Sequence, residues 1–299
     1  MLKKTLEICR KGCYEVHGRQ RPLKLSREQM EKAIVLLPEE IAGLQDFPVP
    51  GSAGGETGHS CLNLDSFTLA RQLHRDYDSR YLPDGTAPVC VLNFANAFHP
   101  GGGVRFGAMA QEEDLCRKSS LLLSLEGQQA ASYYRYHEEK GSELASDAVI
   151  FTPYVEIIRD EAGNLLEDSS VVSVITCAAP NIGGGLEGLS VPQYVELFDH
   201  RIQAILRCAA YMGCRYLVLG AFGCGAFGND SALVAELFRQ ALKKLNLNGL
   251  REGDLFDRVD FAVLCRGQRT YNFHQFYERF GDDPGVAPAA EKGSADSQK

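Results

Sequence analysis

An excess of cations is the first thing this sequence lacks. Its 31 Lys and Arg stand against 39 Asp and Glu, for a formal net charge of −8. Proteins that hold nucleic acid across a broad face draw on clustered basic residues, so no such face is expected. No stretch approaches the eighteen apolar residues of a spanning helix, and no membrane segment is expected. The ten cysteines run from Cys9 to Cys265 without a C-x-x-C pair, and with the seven histidines they show no zinc spacing. A disulfide scaffold and a metal site are therefore both unexpected. The first twenty residues, MLKKTLEICRKGCYEVHGRQ, carry charges throughout and lack an apolar run before a cleavage site. A reducing cytoplasm is the expected compartment and a monomer the expected state.

What is present is a pattern. At 299 residues and 44% hydrophobic content the chain can bury one large core. Residues 1–46 read as a helical extension: TLEICRKGCYEV has apolar residues near a helical period, and Ser26 with Gln29 forms a capping box before EKAIVLL. The Pro-, Gly- and Ser-rich stretch 47–60 marks a break. Thereafter β-rich runs (88–94, 148–158, 171–179, 215–222, 258–265) alternate with helical patterns (111–125, 191–213, 231–245 and one near 271–280). This alternation predicts an α/β layered domain over 60–280 with a mostly parallel sheet, followed by a disordered tail at 281–299.

Three glycine-rich turns follow predicted strands: NFANAFHPGGG (93–103), APNIGGG (179–185) and GAFGCGAFGND (220–230). Loops beyond the carboxyl ends of parallel strands hold ligands in such sheets, and glycine lets the backbone approach a phosphate. One such loop is as often a plain turn, but three in one sheet point to a phosphate or diphosphate site. Gly223, Gly225 and Gly228 also fit G-x-G-x-x-G, which raises a dinucleotide-dependent dehydrogenase. Against this, the next strand's acidic residue, Asp260, lies more than thirty positions beyond Gly228 rather than about twenty.

The segment GGGVRFGAMAQEEDL sets Gly101, Gly102 and Gly103 seven residues ahead of Gln111, Glu112 and Glu113. With NFAN, LCRKSSL, AAPN and GAFGCGAFGND, this spacing resembles the signature of the microbial-type poly(ADP-ribose) glycohydrolases, a branch of the macrodomain fold. The resemblance covers roughly residues 60–280 and implies a three-layer α/β/α macrodomain with a mostly parallel mixed sheet. It implies that Glu113 is catalytic and that Glu112 holds ribose hydroxyls beside the scissile bond. It also implies that Gly101 to Gly103 and the loop Gly223, Cys224, Gly225, Ala226 and Phe227 wrap the diphosphate and distal ribose. Asn96 would help to position that ribose, Gln111 belongs to the substrate-binding set, and neither metal nor other cofactor is implied. Phe106 and Met109 stand where smaller residues are expected, at the mouth of the site.

The chemistry agrees with this assignment. Cleaving a C1″–O bond needs a proton for the leaving oxygen and a base for water, and one carboxyl can serve both in sequence. Glu112 and Glu113 would point about 100° apart on a helix, so they are not a matched acid–base pair. The bland reading is an acidic helix N-terminus favoured by the dipole. His99 reads first as a surface loop residue, and Cys224, which a helix N-terminus could activate, reads first as a small residue lending its N–H. The expectation is hydrolysis of poly(ADP-ribose), with ADP-ribose released from chain ends. The alternatives are a mono-ADP-ribosyl hydrolase acting on a modified protein or nucleic acid, a non-catalytic ADP-ribose reader and, more distantly, the dehydrogenase.

Overall fold

The computed structural model describes residues 1–44, 55–77, 87–265, 267 and 270–281. Most of the stretch 47–60 and all but Gly281 of the expected tail lie outside these residues. Among the described residues nine strands form two sheets: β1 (Cys13–Val16), β2 (Arg19–Pro22), β3 (Ile34–Leu36), β4 (Gly58–Leu62), β5 (Val89–Phe94), β6 (Val149–Arg159), β7 (Leu165–Cys177), β8 (Tyr216–Leu219) and β9 (Arg258–Ala262). β1 and β2 make a small hairpin, and the other seven make a sheet in the order β3-β6-β7-β5-β8-β9-β4. The four pairings from β7 to β4 are parallel, while β3–β6 and β6–β7 are antiparallel. The expected mostly parallel, mixed sheet is the one observed.

Alternation along each central strand divides the core in two. Cys90, Leu92, Ile175, Cys177, Leu217 and Leu219 face the helices Val191–Tyr211, Ser231–Lys244 and Tyr271–Phe280. Val89, Val91, Val172, Val174, Tyr216 and Val218 face the helices Ser66–Tyr77, Gln111–Lys118 and Leu121–Leu125. The site helix Gln111–Lys118 thus lies directly on the sheet. Among the described residues, no helix is long and apolar enough to cross a membrane.

The N-terminal region corrects the purely helical expectation. The helix over TLEICRK stops at Gly12, whose left-handed φ of 75° suits glycine, and Cys13–Val16 turns back as β1. EKAIVLL likewise divides: the capped helix ends at Glu31, and Ile34–Leu36 joins the main sheet as its edge strand beside β6. Tertiary pairing outweighs a helical period there, because an exposed edge of β6 rewards main-chain hydrogen bonds. The buried carboxylate of Glu156 on β6 accepts the N–H groups of Lys24 and Leu25 and the Ser169 hydroxyl, and so ties the extension down. Residues 111–125 form two helices rather than one, broken at Ser119, which is extended and bridges to Ile157.

Candidate active site

Glu112 and Glu113 open the helix Gln111–Lys118, which has no side-chain N-cap. A merely acidic helix terminus would leave its carboxylates in water. Instead Glu112 is 2% exposed and Glu113 6%. Both side chains fold back under the glycine triplet. Glu113 Oε1 accepts the Gly103 N–H at 2.9 Å, while its Oε2 is buried with no hydrogen-bond partner among the described residues. Glu112 Oε1 accepts from Asn93 Nδ2 at 3.2 Å and Oε2 from the Asn96 N–H at 2.8 Å. Burial pushes the Glu112 carboxyl up to about 8, against these two hydrogen bonds, which favour the charged form, and with a smaller push from Glu113.

The triplet is shaped around these oxygens. Gly101 and Gly102 have φ of 69° and 57°, and a Cβ on Gly102 would lie 2.5 Å from Glu113 Oε1 and 3.0 Å from Glu112 Oε2. The N–H groups of Gly102 and Gly103 are taken by His99 O and Glu113 Oε1. Asn96 Oδ1 accepts the N–H groups of Phe98 and His99, which leaves its amide nitrogen as the side chain's donor. The Gln111 amide accepts the Phe94 N–H and donates to Leu92 O and Ser66 Oγ, so it locks the helix start to the end of β5.

A cavity of about 640 Å³ opens beside this helix start. Gln111 and Asp114, which flank the two glutamates in the chain, line it together with Ser66, Phe94, Gly223, Gly225, Ala226, Phe227, Met109 and Asn272. The loop after β8 is held from behind. Asn229, 4% exposed, accepts from Tyr194 Oη at 2.6 Å and donates to Pro180 O at 2.8 Å and Gly223 O at 2.9 Å. Ile182 N–H donates to Phe227 O, joining the 179–185 loop to it. A Cβ on Gly223 (φ 72°) would collide with Asn229 and Ala179, whereas one on Gly225 would meet nothing within 4 Å among the described residues.

Of the expected residues, Gln111, Gly223, Gly225, Ala226 and Phe227 meet at the cavity, whereas Asn96, Cys224, the triplet Gly101 to Gly103 and the buried Glu112 and Glu113 do not line it. Three contributors were not foreseen: Asn93, Asn229 and Ser66. Asn93 and Asn229 stand inside quoted motifs, NFAN and FGND. A buried polar residue on an otherwise apolar strand is the signal that could have found Asn93. The Cys224 thiol is pushed up by burial and by Asp230, the opposite of an activated nucleophile. Cys224 O accepts from Asn272, and His99 is exposed, used through its backbone. Asp260, the acid a dinucleotide site would need, is buried at 1% against Ser60 and Arg258 in the sheet.

Comparison with known proteins agrees with this geometry. A family model described as microbial-type PARG, catalytic domain, matches residues 3–160. The poly(ADP-ribose) glycohydrolase (PARG) of Thermomonospora curvata is 33% identical, covers 93% of this chain and 97% of its own, and superposes with a TM-score of 0.80. Its form bound to the inhibitor ADP-HPD gives 0.78 over the same shares. The enzyme of Deinococcus radiodurans in complex with ADP-ribose is 34% identical, covers 84% of this chain and 95% of its own, and gives 0.70. Among curated proteins nothing matches. With a family model over more than half the chain and relatives a third identical along nearly all of it, the chain belongs to the microbial-type PARG family, the poly(ADP-ribose) glycohydrolases.

Proposed function

We propose that this glycohydrolase binds a terminal ADP-ribose in the 640 Å³ cavity and hydrolyses the ribose–ribose bond with Glu113 as proton donor and then base. The volume suits a ligand of that size, since small-molecule sites commonly run from about 300 to 1,000 Å³. The Gly225–Phe227 backbone, open on its cavity side, lies along the diphosphate, where main-chain N–H groups neutralise charge despite the acidic surface. Glu112 accepts hydrogen bonds from ribose hydroxyls and fixes the sugar beside its neighbour. Glu113 gives its proton to the leaving oxygen as the C1″–O bond breaks with its electron pair on that oxygen. The carboxylate then takes a proton from the water that attacks C1″.

The observation that carries this reading is Glu113 itself: one oxygen is pinned by Gly103, and the other is buried and unpartnered. A buried carboxylate oxygen without a partner is costly unless a substrate group satisfies it. The test incubates purified protein with labelled poly(ADP-ribose) and, separately, with mono-ADP-ribosylated protein, and follows released ADP-ribose. Release from the polymer is expected. Release from the mono-modified protein alone would make the enzyme a mono-ADP-ribosyl hydrolase, and binding without release would make it a reader.

A further inference from the structure

We propose that Phe106 is the stacking platform for the adenine of the leaving polymer unit, a second base subsite outside the cavity. The inference rests on the polymer reading above. Seven large apolar side chains are exposed among the described residues, among them Met109, Leu264, Tyr271 and Phe106, which stands three residues before Met109 in the chain. Met109 and Leu264 line the cavity, and Tyr271 immediately precedes Asn272, which also lines it. Phe106 does not line it and is the most exposed of all, at 94%.

A lone exposed aromatic needs no explanation. This one sits on a turn whose backbone is tied down on both sides of it. Val104 is buried, the Phe106 N–H donates to Gly103 O at 2.9 Å, and the Ala108 N–H donates to the same oxygen at 3.1 Å. Arg105 forks onto Glu126 through Nε and Nη2, and Arg117 Nη1 holds Ala108 O at 2.6 Å. Gly107, at φ 87°, closes the turn. These bonds hold the backbone while the ring has no partner among the described residues, so little backbone freedom is lost when a flat group settles on it.

Its place matches the leaving group. Gly103 accepts the Phe106 N–H through its carbonyl and holds Glu113 through its N–H, so the backbone that carries Phe106 and the carboxylate are fixed by one residue. The bond to be cut joins C1″ to the 2′-oxygen of the next unit's adenosine. The leaving oxygen is therefore on the very sugar that bears an adenine, one ribose from the reaction. A base offers a π face to an aromatic ring without any hydrogen-bond readout. A single ADP-ribose on a protein side chain carries no base at that position, so Phe106 favours polymer over single-unit substrates.

The test compares two synthetic substrates: ADP-ribose linked 1″→2′ to adenosine, and ADP-ribose linked in the same way to ribose without a base. Wild-type protein should prefer the adenosine compound in kcat/KM by roughly tenfold, the ordinary worth of one base stacked on an aromatic ring. Phe106→Ala should lose that preference to within twofold, and Phe106→Trp should keep it. Affinity for free ADP-ribose and the melting temperature should be the same in all three proteins. A preference that survives in Phe106→Ala, or none in the wild type while both compounds are cleaved, overturns the subsite alone. Cleavage of neither compound, nor of polymer, by the wild type overturns the glycohydrolase reading and the subsite together.

Discussion

After β5 the chain turns through Gly101, Gly102 and Gly103, and after β8 through Gly220, Gly223 and Gly225. In the first turn the protein's own groups demand glycine: a Cβ on Gly101 would lie 2.6 Å from Leu122, and one on Gly102 would enter the carboxylate pocket. The second turn is mixed. Gly220 and Gly223 lie against Ala262 O, Ala179 and Asn229, while Gly225 faces open space. Glycines of one appearance in sequence thus divide into those that let side chains close in and one that leaves backbone bare. In the function proposed above, the first turn carries the reaction and the second carries the ligand.

Changes in the first turn should therefore act mostly on rate. The largest effect is expected from Glu113→Gln, which keeps shape but can neither donate an acid proton nor take one from water. Turnover should fall by about 10²–10⁴-fold with ADP-ribose affinity retained. Turnover within threefold of the wild type would move the catalytic role elsewhere. Gly102→Ala comes next: its methyl would press on Glu113 Oε1, and its positive φ adds about 1–3 kcal/mol of strain. Turnover should drop further than affinity, as single-turnover kinetics beside calorimetry would reveal. Equal losses in both would erase the contrast between the turns.

Changes in the second turn should act on binding. Asn229→Ala strands Tyr194 Oη, Pro180 O and Gly223 O, at a cost of about 1–3 kcal/mol of stability for buried polar groups left unpaired. ADP-ribose affinity should fall with it, since Asn229 holds the loop from behind. Gly225→Val is cleaner, because its Cβ meets nothing and its φ is not positive, so the fold should be unaffected. Blocking the backbone's approach to the diphosphate should weaken ADP-ribose by about tenfold, or 1.4 kcal/mol, with kcat little changed. A folded Gly225→Val with wild-type affinity would place the diphosphate on another loop.

The same division explains how much could be read from sequence. The strands Val89–Phe94 and Tyr216–Leu219 and the 171–177 half of Leu165–Cys177 announce themselves by apolar runs, and the long helices by their period, whereas LLEDSS at the start of Leu165–Cys177 does not and becomes strand by pairing with β6. Gly58–Leu62 does not: GHSCL has neither alternation nor β-branched residues, and it is a strand because β9 offers a parallel edge and Ser60 bonds Asp260. At the site, the GGG-x7-QEE spacing marked the residues that converge, but not which groups each glycine faces. That depends on contacts between segments far apart in the chain, such as Asn229 with Pro180 and Tyr194. Asn93 escaped notice because its role appears only when Thr176 and Glu112 flank it across two elements.

The smallest effect expected is a pH slope that belongs to the first turn alone. Burial pushes the Glu112 carboxyl up to about 8, while in the unfolded chain it titrates near the ordinary value of about 4.3. Between these limits the folded protein holds a proton that the unfolded chain has released. Stability from this group is thus fully present below the unfolded value and is lost as pH rises towards 8. Glu112→Gln, which cannot ionise, should flatten that part of the stability curve. Its melting temperature should gain steadily on the wild type as pH rises from 5 to 8. Gly225→Val should run parallel to the wild type over the same range, because a side chain there meets nothing within 4 Å among the described residues and so leaves the Glu112 carboxyl untouched. ADP-ribose should narrow the Glu112 effect, since ribose hydroxyls donating to the carboxylate favour its charged form. Parallel curves for Glu112→Gln and the wild type would mean that Glu112 does not keep its proton through this range, and the assignment of the slope to its burial would fall.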